Sequence, residues 1–287
     1  MADQLQIFKT SCEGGLNTNR DVLSQGELLP GSATRLINYE PAVTGGYRRI
    51  NGYSEDFPSL PGTGATLGVC VANNINEGIL ACRKPTAGSN YLHYWDFTAE
   101  AWQAVTTSGS PTMTGVTKVR FEKFNWGSDK IILVDGVNPA ATYDGTTYTQ
   151  ITHSQAPSSP RYVSAFKSHM FFAGDASNLN YLTFSAPLDE TDFSPANGAG
   201  SINVGFDIVQ IKPFRDELYI FGTNNIKKLV GSTIADFQLI SVTKDLGCIA
   251  TDSVVELGGD LLFIGPDGLR PVSGTDKIGD VNLETVS

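Results

Sequence analysis

The stretch Ile131-Ile132-Leu133-Val134-Asp135-Gly136 decides the fold class, because four apolar residues run together and a turn pair ends them. A buried helix needs about ten or more residues, so a run this short predicts a strand buried on both faces. Three later runs, at residues 170–173, 218–221 and 261–264, have the same form. The glycines that close the four runs are spaced by 38, 48 and 43 residues. The spacing therefore predicts a repeated structural unit.

Each run lies inside a longer unit that contains further strand-like segments. Residues 119–124 precede the first run and residues 141–145 follow it, and residues 78–96 fit the same scheme. The chain thus holds about five units of roughly 40–50 residues, each with several strands, which is typical of propeller blades. A twisted sheet of this size buries both faces only against neighbouring blades. A β-sandwich or barrel with regular strand spacing is the alternative fold.

The first 60 residues differ from the rest, since Asn, Gly, Ser and Pro dominate there. We expect an extended N-terminal arm with peripheral strands over residues 1–60 and a β-propeller-like domain of about five or six blades over residues 61–287. The arm either supplies a further blade, closes the last one, or contacts partners. Its apolar residues lack a core of their own, so we expect partner contacts at the following residues: Leu16, Leu28, Leu29 and Ile37.

Two adjacent arginines, Arg48 and Arg49, stand in a strand-like segment of the arm. They are suited to clamp carboxylates of a partner through paired hydrogen bonds. Alternatively, they are solvated residues that protect an edge strand from pairing with another chain.

The charge of the chain limits its partners. The net charge is −10 and the pI is about 4.7. Wrapping of nucleic acid by counterion release needs clustered Lys and Arg, so that class is disfavoured. No run of about 18 apolar residues occurs, and the first residues show no basic stretch followed by an apolar one. We therefore expect neither a membrane-spanning helix nor a secretory signal.

A search for catalytic and metal-binding patterns finds none that is competent, so we expect no enzymatic activity and no cofactor. The acidic candidates, Asp189-Glu190 with Asp192 and Asp260 with Asp267, are also common turn residues. There is no Gly-x-Ser-x-Gly elbow and no phosphate-binding loop. The histidines are far apart, and the cysteines form no Cys-x-x-Cys pair. A disulfide between Cys70 and Cys82 is disfavoured in a reducing cytoplasm.

An aromatic cluster spans residues 91–102 and includes Tyr94, Trp95, Phe97 and Trp102. A sugar-binding platform is one interpretation. Ordinary packing inside a blade is the other, and it is favoured because aromatic rings often supply much of a core.

Two parts of the sequence resemble bacteriophage virion proteins. Gly14-Gly15-Leu16-Asn17 and the strand-like Gly46-Tyr47-Arg48-Arg49-Ile50-Asn51-Gly52-Tyr53 resemble the opening of such proteins, including the tail nozzle (tail tubular protein B) family of short-tailed phages. Ser185-Ala186-Pro187-Leu188-Asp189-Glu190-Thr191-Asp192-Phe193, with segments at 217–222, 226–229 and 247–270, is similar to phage structural proteins. Nozzle proteins are commonly much longer, so this chain would be a compact version or part of a longer one.

The resemblance implies a subunit of the phage tail, assembled in the host cytoplasm. It implies a ring of copies, usually six, that contacts an adaptor on the portal side and tail fibre proteins. DNA would pass through the ring during ejection without sequence-specific binding, and an acidic lumen would repel its phosphates. The alternatives are a receptor- or glycan-binding propeller at the tail tip and a propeller hydrolase acting on surface glycans.

Overall fold

The computed structural model describes residues 14–18, 31–42, 46–75, 78–84, 91–109, 111 and 114–273. The chain divides into two compact units, Met1–Phe57 and Pro58–Ser287. Within the described residues the fold is all-β, and its one helical element is the 3₁₀ turn Pro195–Asn197. No helix in this part of the chain is long and apolar enough to span a bilayer.

The N-terminal unit contains a two-stranded antiparallel sheet, β1 (Tyr39–Pro41) with β2 (Tyr47–Arg49). The phenol of Tyr47 donates hydrogen bonds to the carbonyl oxygens of Gly15, at 2.6 Å, and Gly31, at 3.1 Å. These bonds tie the hairpin to the preceding chain, which a two-stranded sheet needs because it is marginally stable alone. Residues 28 and 29, where partner contacts were predicted, lie outside the described residues.

Within the described residues the second unit contains five sheets, which we number as blades 1 to 5 and which are antiparallel except for one pair of strands in blade 2. Blade 1 is β3 (Thr66–Ala72), β4 (Gly78–Arg83), β5 (Leu92–Asp96) and β6 (Ala101–Ala104). Blade 2 is β8 (Arg120–Asn125), β9 (Asp129–Val134), β10 (Ala141–Tyr143) and β11 (Thr147–Gln150), and the short β7 (Thr106–Thr107), which precedes them in the sequence, lies at its outer edge beside β11. Blade 3 is β12 (Tyr162–Phe166), β13 (His169–Ala173), β14 (Tyr181–Phe184) and β15 (Gly200–Asn203).

Blades 4 and 5 follow the same order. Blade 4 is β16 (Gln210–Phe214), β17 (Glu217–Phe221), β18 (Ile226–Val230) and β19 (Gln238–Thr243). Blade 5 is β20 (Val255–Leu257), β21 (Asp260–Gly265) and β22 (Gly268–Pro271), three strands within the described residues. Each blade is a meander in which strands adjacent in sequence pair with one another, and β7 is the exception because it pairs with β11. The propeller-like, all-β prediction is therefore confirmed.

The apolar runs that predicted the fold are the second strands of their blades. β13 is buried along its whole length, and the last four residues of both β9 and β17 are buried. One face of each such strand packs against the preceding blade and the other against the following blade. Ile131 and Leu133, for example, belong to the core shared with blade 1, whereas Ile132 and Val134 pack with blade 3.

The turn chemistry explains why a glycine closes each run. Gly136 and Gly174 have backbone φ angles of 76° and 69°, which residues with a Cβ atom rarely adopt. Beside the first of them, the Asp135 carboxylate accepts hydrogen bonds from the backbone N–H groups of Val137 and Asn138, at 2.8 and 2.7 Å. At Gly222 the reason is space, because a Cβ would collide with the Phe206 ring.

The first strands of the blades are the innermost, and neighbouring ones are in contact: β3 with β8, β8 with β12, and β12 with β16. Four apolar clusters fill the interfaces between and within the blades. Blade 1 is also joined to blade 2 through β7, which leaves blade 1 and pairs in parallel with β11. This arrangement brings strands from distant parts of the sequence around one central cavity.

Candidate functional site

The innermost strands enclose a cavity of about 340 Å³, which we call the axial cavity. Four blades contribute to its wall, with Val69 and Cys70 from blade 1, residues 119–122 from blade 2, residues 162–164 from blade 3 and residues 210–212 from blade 4. Asp252, which lies ahead of blade 5, completes the lining. Because its lining is polar and charged, the axial cavity is distinct from the apolar interfaces that hold the blades together.

A network of three charged residues crosses the ring at this cavity. Asp252 accepts hydrogen bonds from Arg120 Nε at 2.6 Å and Nη2 at 2.7 Å, and from Lys118 Nζ at 2.7 Å. Burial acts to raise the pKa of Asp252, but the hydrogen bonds from Arg120 and Lys118 outweigh it and lower the pKa. The guanidinium carbon of Arg120 also lies 5.0 Å from the ring centre of Tyr162. The network therefore links blades 2, 3 and 5.

A buried carboxyl group, Glu122, lies next to this network. Its Oε1 accepts hydrogen bonds from Ser164 Oγ at 3.2 Å and from the Ala165 N–H at 3.1 Å. Burial raises its pKa, and the hydrogen bonds and the nearby Lys212 only partly oppose the rise. Glu122 thus fastens blade 2 to blade 3 while keeping its carboxyl group largely out of water.

Two polar side chains of β16 line the cavity with unused bonding capacity. The Oε1 atom of Gln210 is buried and accepts no hydrogen bond within the described part of the chain. Lys212 acts on Glu122 electrostatically, but its ammonium group makes no hydrogen bond or ion pair with the described residues. A buried polar atom without a partner is costly, which makes Gln210 a candidate for contact with a ligand. Lys212 is partly exposed, and its ammonium group is available as a second contact.

The predicted contact residues of the arm are exposed where they are described. Leu16 and Ile37 are 55% and 56% exposed. Arg48 pairs with Glu40 across the β1–β2 hairpin at 2.6 Å, and Arg49 stands opposite Tyr39. Arg48 therefore has a carboxylate partner, Glu40, within its own unit.

Ile37 also belongs to a mainly apolar pocket of about 590 Å³ in the N-terminal unit. Its other lining residues are Arg35, Leu36, Tyr39 and Tyr47. Tyr39 is half exposed. This pocket therefore includes Ile37, one of the predicted contact residues.

A second apolar surface lies on blade 5. Val255, Leu257 and Ile264 are 51%, 63% and 39% exposed, and they share the face of the sheet that is turned away from blade 4. On blade 1, the β3 residues Val69 and Val71 are about 60% exposed. Blades 1 and 5 therefore both present exposed apolar side chains on these strands.

The aromatic cluster is packed inside blade 1 and its surroundings. Trp95 forms edge-to-face contacts with Trp102, at 5.4 Å between ring centres, and with Phe97, at 6.4 Å. The indole N–H of Trp102 donates a hydrogen bond to the Pro58 carbonyl oxygen at 2.8 Å. Phe97 is more than half exposed, whereas Trp95 is buried. The geometry is that of blade packing and does not form an open aromatic platform.

The acidic candidates have structural partners. Glu190 is buried and pairs with Lys130 at 2.7 Å. Side-chain hydrogen bonds from Ser194 and Asn197 lower the pKa of Asp192 to about 2, which keeps that carboxylate ionised. Asp267 pairs with Arg270, and Asp260 accepts hydrogen bonds from Ser273. Among the described residues, no group of three or more His, Cys, Asp or Glu side chains could hold a metal ion.

Cys70 and Cys82 are both free thiols on neighbouring strands. They are not directly opposite, because Cys70 stands opposite Leu80 and Cys82 opposite Gly68.

The sequence search did not single out the residues of the axial cavity. Arg120, Gln210, Lys212 and Asp252 form no local motif, and Arg120 and Asp252 are 132 residues apart. The alternation of charged and apolar residues in 119–124 was the one local signal, and it was used only to predict a strand.

Comparisons with known proteins give only distant likenesses. No family model and no curated protein matches the chain. Among solved structures, a nidogen/laminin complex is 8% identical, with a TM-score of 0.45 over 73% of this chain and 77% of that one. A BBS1N–ARL6DN complex is 11% identical, with a TM-score of 0.49 over 78% and 70%. The extracellular domain of a putative one-component system from B. thetaiotaomicron is 13% identical, with a TM-score of 0.48 over 79% of this chain and 28% of that one. These likenesses are too weak to carry an argument about function.

Proposed function

We propose that the chain is a structural component of a bacteriophage tail, a ring-forming subunit of the nozzle or tail-tube type. In this role it joins further copies of itself, an adaptor on the portal side and tail fibre proteins, and it lets DNA pass during ejection. The resemblance of the segments at 14–17, 46–53 and 185–270 to virion proteins supports the tail assignment.

The observation that carries the assembly role is the apolar pocket of the N-terminal unit. A contiguous exposed apolar surface on a protein marks an interaction site far more often than scattered single residues do. Ile37 and Tyr39 line the pocket with more than half of their surface exposed, and Arg35 adds a positive charge. A partner that presents an apolar side chain next to a carboxylate would be complementary to it.

The charge of the chain supports passage of DNA without tight binding. With a net charge of −10, the subunit offers little counterion release to a DNA duplex. Binding of duplex DNA at physiological salt would contradict this part of the proposal.

Ring formation is tested by measuring the mass of the purified chain in solution with light scattering and by imaging the particles. We expect closed rings, and we expect Ile37→Asp to shift the distribution towards monomers because it places a charge in the apolar pocket. Val137→Asp is the matched control, since Val137 is also exposed but lies on a turn of blade 2. A monomer at all concentrations, or a virion in which the protein lies in the head shell, would overturn the proposal.

A further inference from the structure

We propose that the axial cavity binds a small carboxylate that carries hydroxyl groups and has the size of one acidic sugar. The carboxylate of the ligand lies at Lys212, and one of its hydroxyl groups donates a hydrogen bond to Gln210 Oε1. This binding site is independent of the tail assignment. Assembly could fail in every test while the cavity still binds its ligand.

The size of the cavity limits the ligand. Pockets for small molecules usually span about 300–1,000 Å³, and this one lies near the lower end at about 340 Å³. It has room for a single sugar ring or a comparable hydroxy acid and not for a longer chain. Because strands of blades 1 to 4 contribute to the wall, such a ligand would contact four separate sheets.

One cation of the lining is left for an anionic ligand. The lining holds two cations, Arg120 and Lys212, and two carboxylates, Glu122 and Asp252. Glu122 accepts its hydrogen bonds from Ser164 and Ala165 of blade 3. Since Arg120 and Lys118 are already bound to Asp252, Lys212 is the cation left for a ligand.

The unpaired Oε1 atom of Gln210 adds a second requirement for the ligand, namely a hydrogen-bond donor. Gln210 and Lys212 are two residues apart on β16, so their side chains leave the strand on the same side. An acceptor beside a cation is satisfied by a ligand that has both an anionic group and a hydrogen-bond donor. A neutral sugar would leave the ammonium group of Lys212 unpaired, and a simple alkyl carboxylate would leave Gln210 Oε1 unpaired.

Calorimetry on the full chain with D-glucuronate tests the proposal. D-Glucose, which lacks the carboxylate, and propionate, which lacks the hydroxyl groups, are the comparison compounds. We expect glucuronate to bind, and both comparison compounds to bind at least about tenfold more weakly. Lys212→Met should weaken glucuronate binding by a similar factor, whereas Lys212→Arg retains the charge and should bind nearly as well as the wild type. Lys244→Met, at an exposed lysine, is the matched control and should have no effect.

Cys70 provides a readout of where the ligand sits, because this half-buried thiol lines the cavity. We expect saturating glucuronate to slow the alkylation of Cys70, followed peptide by peptide with mass spectrometry. The proposal is overturned if glucuronate fails to bind, if Lys212→Met binds it as well as the wild type does, or if Cys70 reacts at the same rate with and without it. If Lys212→Met does not fold, Gln210→Met replaces it, with the same weakening expected.

Discussion

Asp252 is the side chain on which the charged network of the axial cavity converges. Its carboxylate binds Arg120 and Lys118, and the side chains of Asp252 and Arg120 are only 26% and 16% exposed. Water therefore screens the Arg120–Asp252 pair less than it screens an ion pair on the open surface, whereas the Lys118 side chain is 53% exposed. Because the partners belong to blades 5 and 2, the network holds together parts of the ring that are not adjacent in the sequence.

Replacing Asp252 with Asn should reduce the free energy of unfolding by about 1–2 kcal/mol, since Arg120 and Lys118 lose their charged acceptor. Denaturant titration at neutral pH measures the change. Asp216→Asn is the matched control: its carboxylate is 3.0 Å from Lys167 but 93% exposed, so we expect a loss below about 0.5 kcal/mol. Equal losses in the two variants would contradict the prediction.

The pH dependence of the stability of Asp252→Asn tests whether the ionised Asp252 carboxylate stabilises the fold. The pKa of Asp252 is lower in the folded protein than its ordinary value of 3.8, so the carboxylate stabilises the fold when the pH is above that value. This stability is lost as the pH falls through the folded-state pKa. The difference in the free energy of unfolding between wild type and Asp252→Asn should therefore be largest at neutral pH and become smaller in strong acid.

The connection between blades 4 and 5 shows how elements are held in place. The chain between β19 and β20 runs against the turn between β17 and β18, where the Cys248 N–H donates a hydrogen bond to the Gly222 carbonyl oxygen at 2.9 Å. At Gly247 the approach is so close that a Cβ would lie 2.6 Å from the backbone carbon of Thr223 and 2.7 Å from the backbone nitrogen of Asn224. Only glycine fits between these backbone segments.

Gly247→Ala should therefore push blade 5 away from blade 4 and lower the free energy of unfolding by about 1–3 kcal/mol. Thermal or denaturant unfolding of the purified chain measures the change. Gly52→Ala is the matched control, because nothing lies within 4 Å of its added Cβ and its φ angle is not in the left-handed region. We expect that control to stay within about 0.5 kcal/mol of the wild type. A loss at Gly52 as large as that at Gly247 would show that the contact is not the cause.

At the level of elements, the sequence predicted the strands that are buried on both faces and missed most of the outer ones. β9, β13, β17 and β21 were predicted because apolar residues run without interruption and a turn follows. The outer strands β6 and β19 have no such run, since they are partly or largely exposed. Their positions are fixed by pairing with the third strand of the blade, which a local pattern does not reveal.

At the level of the whole molecule, the sequence indicated a propeller but could not locate the axial cavity. The period of the closing glycines predicts repeated blades, and five sheets are present in the described residues of the second unit. The residues that line the cavity are ordinary members of separate strands and meet only when the blades surround a common axis. Lys212 and Gln210 are therefore recognisable as candidate ligand contacts from their surroundings in the fold and not from their neighbours in the sequence.

Deletion of residues 1–57 tests whether the N-terminal unit serves assembly or the fold of the blades. The four apolar clusters are built from residues of the second unit, between Leu67 and Val272, so we expect the shortened chain to keep its β-sheet circular dichroism and cooperative unfolding. Ring formation should be lost, because the deletion removes the predicted contact residues Leu16 and Ile37 and the apolar pocket that Ile37 lines. Light scattering measures the mass of the assembly, and calorimetry measures the cooperativity of unfolding. Loss of cooperative unfolding would instead mean that the arm completes the ring of blades, and unchanged rings would exclude the arm from the contacts between copies.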